Sequence, residues 1–233
     1  MTEFETVLTA LSADPDVRVV VVTGSVAGYF VAHADLDDLI AMGRGETVPG
    51  DPAAWNRAFA LIESMDQPVV AAINGQAWGG GCELALACTF RLAAASAHFS
   101  QPEVAVGLIP GAGGTQRLQR LVGPGIAADI VLTGRVIESD EALRIGLVNA
   151  VLTDENFLEQ VRDWVAPIAR HPAHAVRAAK RALVDGRSLS LDEALRVEGR
   201  LFVECLVHPA TAALEQSAAD RERSTPPSER AVL

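Results

Sequence analysis

Two glutamates with glycine-rich turns beside them are the residues of this sequence best placed for chemistry. Glu83 follows three consecutive glycines in Asn74-Gly-Gln-Ala-Trp-Gly-Gly-Gly-Cys-Glu-Leu-Ala85, and Glu103 stands in Phe99-Ser-Gln-Pro-Glu-Val104, just ahead of Leu108-Ile-Pro-Gly-Ala-Gly-Gly-Thr115. Glycines at the start of a helix leave backbone N–H groups uncovered at its positive end, which makes an anion or oxyanion site. The triplet is equally compatible with a tight strand-to-helix connection that binds nothing. Likewise, Glu83 alone could be a dipole partner at a helix start and Glu103 alone a solvated loop residue. Together in one desolvated pocket, two carboxyls would have their proton affinities pushed apart, leaving one to accept a proton and the other to donate it.

The elements needed to position these groups are legible around them. Arg18-Val-Val-Val-Val-Thr23 and Pro68-Val-Val-Ala-Ala-Ile73 read as strands buried on both faces, the second stopping at Asn74-Gly75. A helix from Cys82 to Phe90 leads to a third strand, Arg91 to Ala95, and Asp51 to Met65 reads as a further helix with its apolar residues loosely on one side. Strand, glycine turn, helix, strand is an α/β order. From Pro124 onward strands nearly vanish. Ser139 reads as a helix N-cap with Gly146 at the stop, and segments 154–169, 172–185 and 191–207 read as helices. The strand-rich part covers about residues 14–123, and the tail from Ser224 to Leu233 reads as frayed.

Composition limits the alternatives. With 233 residues, 49% hydrophobic and 21% charged, the chain suits one large domain with a core and excludes collagen-like, disulfide-stapled and disordered classes. A net charge of −11 has the wrong sign for a nucleic-acid partner. Lys180 is the single lysine, so Schiff-base or P-loop chemistry has one candidate and no motif. Cys82, Cys88 and Cys205 make no CxxC pair and suit a reducing compartment. Without a signal-peptide pattern at the start or a run of about 18 apolar residues, the expectation is a cytoplasmic protein with no membrane partner. His171 and His174 lack a carboxylate partner motif and read as surface or capping residues, so no metal is expected.

The Gly-Gly-Gly-Cys-Glu turn, Gln101-Pro-Glu103, Ile109-Pro-Gly-Ala-Gly-Gly-Thr-Gln-Arg117, Leu132-Thr-Gly134 and Glu141-Ala-Leu-Arg-Ile-Gly-Leu-Val148 together resemble the crotonase superfamily, specifically its enoyl-CoA hydratases. The resemblance is close over about residues 14–150. It implies a Clp protease-like α/β spiral of ββα units with a helical C-terminal region that builds trimers, commonly paired into hexamers. On this view residues 1–190 form the core and 191–233 the helical C-terminal region. The resemblance further implies an acyl-CoA thioester substrate, with CoA as part of the substrate and no separate cofactor. The thioester oxygen would lie between the amides of Ala34 and Gly80. Glu83 would take a proton from the attacking water and Glu103 would deliver one to the α-carbon. Ala32, Ala34, Asp35, Leu36, Gly79, Gly80 and Gly111 would contact substrate.

The sequence also departs from that pattern. Family chains carry several dozen residues ahead of the first strand found here, including a hairpin and a segment that helps enclose CoA, whereas this chain begins inside the following helix. His33 stands where glycine is common, at a cost if that backbone needs positive φ. Asp37 replaces a lysine, and Ala218-Ala-Asp-Arg221 replaces a basic end helix, leaving Arg18, Arg44 and Arg57 as substitutes for phosphate contacts. Trp78, where an aliphatic residue is common, reads as core packing in preference to a residue that shortens the acyl pocket, and His98 beside Phe99 is assigned no role. Alternatives to hydration are a catalytically weak acyl-CoA binder, an isomerase and a hydrolase; the last lacks a GxSxG elbow.

Overall fold

The computed structural model describes residues 1–224 and, by backbone proximity, divides into two compact units, 1–171 and 172 onward. That division falls earlier than the boundary at residue 190 drawn from sequence. The predicted fraying of the tail concerns residues that lie almost wholly outside those described.

In the first unit, helix α1 (Thr2–Ala13) precedes strands β1 (Val20–Thr23) and β2 (Gly28–Val31), then helices α2 (Leu36–Gly43) and α3 (Ala54–Ser64). Strands β3 (Val69–Ile73) and β4 (Gly75–Trp78) lead to α4 (Gly80–Ala87). Strands β5 (Phe90–Ala94) and β6 (His98–Ser100) lead through a 3-10 turn at Glu103–Val106 to α5 (Gly114–Val122) and α6 (Pro124–Thr133). Short β7 (Ile137–Glu138), α7 (Ser139–Arg144), β8 (Ala150–Leu152) and α8 (Phe157–Arg170) complete the unit.

Each strand pair feeds two sheets in turn. One sheet is parallel throughout in the order β1-β3-β5-β8, and the other has the order β2-β4-β6-β7 with only β7 antiparallel. The result is a spiral of ββα units, the α/β class expected. The parallel sheet explains its sequences: all five residues of β3 are buried, so Val-Val-Ala-Ala-Ile runs without alternation. Its small alanines let α4 pack close, and seven of the eight α4 residues are themselves buried.

The second sheet was not read from sequence. Asn74-Gly75 looked like a strand end, yet the chain only turns a corner there and continues as β4. The Asn74 side chain makes the corner by standing in for a ladder rung: its Nδ2 donates to the Gly24 carbonyl at 3.0 Å and its Oδ1 accepts from the Gly24 amide at 3.1 Å. Ser139 is also reassigned. Glu138 is the N-cap of α7, and the Ser139 hydroxyl donates instead to the Ala95 carbonyl at 2.7 Å, because the residue is buried beneath the first helical turn. His33 lies outside the positive-φ residues, of which Asn156 is the one non-glycine case among the described residues, so the expected backbone cost there is not incurred.

The second unit contains α9 (Ala173–Asp185), α10 (Leu191–Leu206) and α11 (Pro209–Ser224). A reciprocal capping box of Ser190 and Glu193 starts α10. At the start of α11, His208 Nδ1 accepts from the Ala210 amide at 3.3 Å, and its ring stacks on His174 with centroids 3.8 Å apart. Among the described residues no helix is long and apolar enough to cross a membrane, and no three His, Cys, Asp or Glu side chains gather as a metal site.

Candidate active site

The site is organised by the first turn of α4. Its N-cap, Gly79, has φ 50° and ψ −122°, a conformation strained for any residue with a Cβ. Gly81 is required by contact: a Cβ there would fall 1.8 Å from the Val31 carbonyl oxygen. The end of β2 and the loop after it are therefore pressed against the helix start, and Trp78 N donates to Ala32 O at 3.1 Å in the same seam. Gly79 N donates to Ser100 O at 2.9 Å, tying β6 to the other side. Among the described residues the amides of Ala34 and Gly80 donate to no protein acceptor. The ring of Trp55, from α3, backs Gly80, with atoms 3.1 and 3.2 Å from where a Cβ would stand.

Glu83 is 3% exposed, one turn into α4. Its Oε1 accepts from the amides of Ala112 and Gly114, both at 2.7 Å, while its Oε2 has no protein partner among the described residues and is not sealed from solvent. Burial pushes this carboxyl above the ordinary range, opposed by the Gly114 and Ala112 amides and the Arg117 charge. Glu103 begins the 3-10 turn, and its Oε1 lies 3.0 Å from the position of a Gly79 Cβ. Burial is again the main cause of its raised pKa, its own amide opposes, and the charge of Glu83 adds to the rise. The buried Gln101 side chain directs its nitrogen at both Glu103 oxygens, at 3.2 and 3.3 Å.

Two motifs act as supports. Ser100 Oγ donates to the Gly134 carbonyl at 2.9 Å, so Leu132-Thr-Gly134 braces the segment carrying Glu103. The Pro-Gly-Ala-Gly-Gly segment supplies the amides on Glu83. Within that segment Ala112 and Gly114 make the bonds to Glu83, and Gly111, expected to contact substrate, precedes them. Gln101, Ala112, Gly114 and Arg117 were not singled out. The glycine-rich approach to α5 was the available signal, since it frees amides for an anion.

The remaining positions fall as follows. Asp35 caps α2, its Oδ1 accepting from Asp37 N at 2.8 Å and Asp38 N at 3.4 Å. Leu36 is half exposed on the first turn of α2, and exposed His33 donates from Nδ1 to the Ala34 carbonyl at 2.7 Å. Trp78 Nε1 donates to His98 Nδ1 at 3.0 Å, so the neutral ring carries its proton on Nε2. Of the three arginines considered for phosphates, Arg57 is held by Glu5 at 2.7 Å and Asp51 at 2.8 Å, and Arg18 donates to the His171 carbonyl. Arg44 alone of the three makes no side-chain bond among the described residues.

A spiral of ββα units that sets one buried and one partly buried acid beside a glycine-opened helix start defines a crotonase-type α/β protein. The family profile described as Enoyl-CoA hydratase/isomerase matches residues 1–220, and the chain belongs to that family. It is 45% identical over 206 residues to a crotonyl-CoA hydratase from Syntrophomonas wolfei, covering 87% of this chain and 78% of that protein. A short-chain-enoyl-CoA hydratase from Clostridium acetobutylicum is 40% identical over 205 residues, covering 87% of this chain and 77% of the other. Among solved structures, an enoyl-CoA hydratase from Bacillus anthracis superposes with a TM-score of 0.85 at 35% identity, covering 97% of this chain and 86% of that one.

Proposed function

We propose that the protein adds water to 2-trans-enoyl-CoA thioesters, giving 3-hydroxyacyl-CoA, with CoA present as part of the substrate. The observation carrying this reading is the pairing of buried Glu83 and partly buried Glu103, both raised, on either side of the Gly79–Gly80 turn. The relatives named as crotonyl-CoA and short-chain-enoyl-CoA hydratases favour short acyl chains.

The roles follow from the environments. Glu83 has two amide donors on one oxygen and a nearby cation, so it ionises first, and its charge then keeps the proton on Glu103. Glu83 Oε2 accepts a proton from water as the water oxygen bonds to the β-carbon. The alkene electrons move onto the thioester oxygen, where the amides of Ala34 and Gly80 receive the charge; each such donor is worth about 3 kcal/mol. Glu103 then passes its proton to the α-carbon and the thioester carbonyl re-forms. Proton exchange from Glu83 back to Glu103 resets the pair.

Mixing the protein with crotonyl-CoA and following loss of the conjugated enoyl absorbance tests this directly. Wild type is expected to consume the ester, with E83Q and E103Q slower by about 10²–10⁴-fold. Binding of the ester by wild type without loss of absorbance would overturn hydration in favour of an acyl-CoA binder. The exposed Leu191, Leu195, Phe202, Val203 and Leu206 on α10 support self-association as a trimer or hexamer. A monomeric mass by light scattering would refute that part.

A further inference from the structure

Arg117 closes the motif that begins at Ile109, and the hydration steps above make no use of it. Its guanidinium spans two elements. Nε and Nη2 donate to Glu63 Oε1 and Oε2 of α3 at 3.0 and 2.8 Å, and Nη1 donates to the Ala112 carbonyl at 2.7 Å. The peptide contacts alternate along three successive units. The Ala112 amide goes to Glu83, the Ala112 carbonyl to Arg117, and the Gly114 amide to Glu83. The alternation is possible because Gly113, between them, has φ 104°, and a Cβ there would lie 2.1 Å from Arg117 Nη1.

We propose that Arg117, gripped by Glu63, is a positioning residue for Glu83: it fixes the Ala112–Gly114 loop whose amides hold the carboxylate and sets the ionisation of that carboxylate for proton transfer. The proposal rests on the hydratase reading for its role but not for its geometry. A bidentate Arg–carboxylate fork is rigid, and both partners are three-quarters buried, at 22% and 24% side-chain exposure, so the pair is not a solvated surface contact. A misplaced base loses rate even when it remains present.

Other groups near Glu83 leave Arg117 as the cation able to act on it. From α3 comes Glu63, occupied by Arg117, and from the 3-10 turn Glu103, of the same sign as Glu83. Arg91 on β5 donates to the Leu147 and Cys88 carbonyls at 2.7 and 2.8 Å, at the far end of α4. On α4 itself, burial pushes the Cys82 thiol up to about 12, so it stays protonated. Strands β3 and β4 carry no titratable side chain, Tyr29 on β2 is half exposed, and His33 after β2 is turned to the Ala34 carbonyl.

The test combines R117M, R117K and E63Q with two readouts. In crotonyl-CoA hydration, R117M should move the acidic limb of the kcat/KM pH profile upward by roughly one unit. R117K keeps the charge and should restore most of that limb while leaving kcat reduced. E63Q should lower kcat by about 10-fold with little change in KM. Independently of activity, the Glu83 carboxyl is titrated by 13C NMR of glutamate-labelled protein, its signal assigned by its absence in E83Q. A higher titration midpoint in R117M, returned towards wild type by R117K, upholds the proposal even if wild type fails to hydrate crotonyl-CoA, a failure that would count against the proposed function alone. Loss of stability with an unmoved Glu83 midpoint would overturn it and leave Arg117 a structural tie. Should R117M not fold, R117K and E63Q decide by the same midpoint and the kcat-against-KM split.

Discussion

Replacing Glu83 by glutamine should move activity and stability in opposite directions. The amide oxygen can still accept from Ala112 and Gly114, so the loop keeps its two bonds, each 2.7 Å long in the wild type. The variant loses the proton acceptor, and a reduction of about 10²–10⁴-fold corresponds to roughly 2.7–5.4 kcal/mol of transition-state stabilisation. Stability responds to a different quantity. Because burial raises the Glu83 carboxyl above its ordinary value of 4.5, the folded state favours the neutral form. That stabilisation is complete below the unfolded pKa and is lost as pH rises through the folded one, so wild type at pH 7 holds an ionised group at a net cost of about 1.4 kcal/mol per unit of elevation. Glutamine removes this cost, and also removes the charge that raises Glu103. E83Q should therefore unfold at a temperature equal to or above wild type at pH 7, each kcal/mol being worth roughly 2–4 °C for a chain of this size. The advantage should vanish below about pH 4.5. Calorimetry across pH 4–8, beside the absorbance assay, checks both halves. A variant clearly less stable than wild type at pH 7, or one that keeps its rate, would refute the reasoning.

Three further outcomes follow from the geometry. G81A drives a Cβ to 1.8 Å from the Val31 carbonyl and should destabilise the fold by about 3 kcal/mol or more, read from the urea midpoint. H98F strips Trp78 Nε1 of its acceptor and should cost about 1–3 kcal/mol of unfolding free energy while leaving the far-ultraviolet dichroism unchanged. His174 is held below its usual pKa, by desolvation first and then by the His208 charge, so the folded state disfavours its protonated form and stability is present above about pH 6.5 and lost as pH falls through the lowered value. Amide exchange at Ala210–Ala212 should accelerate from pH 7 to pH 5 beyond its intrinsic change, and H174F should remove the excess.

Parts of the fold were legible because they obey one strong rule. β1, β3 and β5 are β-branched or alanine runs buried on both faces, and their limits in sequence came within two residues of those observed. β2, β4 and β6 were missed since Gly-Tyr-Phe-Val, Gly-Gln-Ala-Trp and His-Phe-Ser are too short and mixed for a period to show, and they form only because the first sheet delivers them side by side. The site divides the same way. Glu83 is legible as an acid in an otherwise apolar run, and Glu103 as a second acid between two glycine-rich turns. Ala112 and Gly114 serve through backbone N–H groups, which every residue type but proline has, and Arg117 acts across an ion pair to α3 that no local spacing encodes.

The corner at Asn74 bears on how this protein ages. Asparagine followed by glycine is prone to lose ammonia through attack of the next backbone nitrogen on the side-chain carbonyl, and asparagine is among the thermolabile residues. Here both polar atoms of that side chain are committed to Gly24, which restrains the rotation such attack needs. Were the amide nonetheless converted to a carboxylate, an oxygen would face the Gly24 carbonyl where a donor had been, and the damage would open the joint between the sheets rather than mark a harmless surface loop.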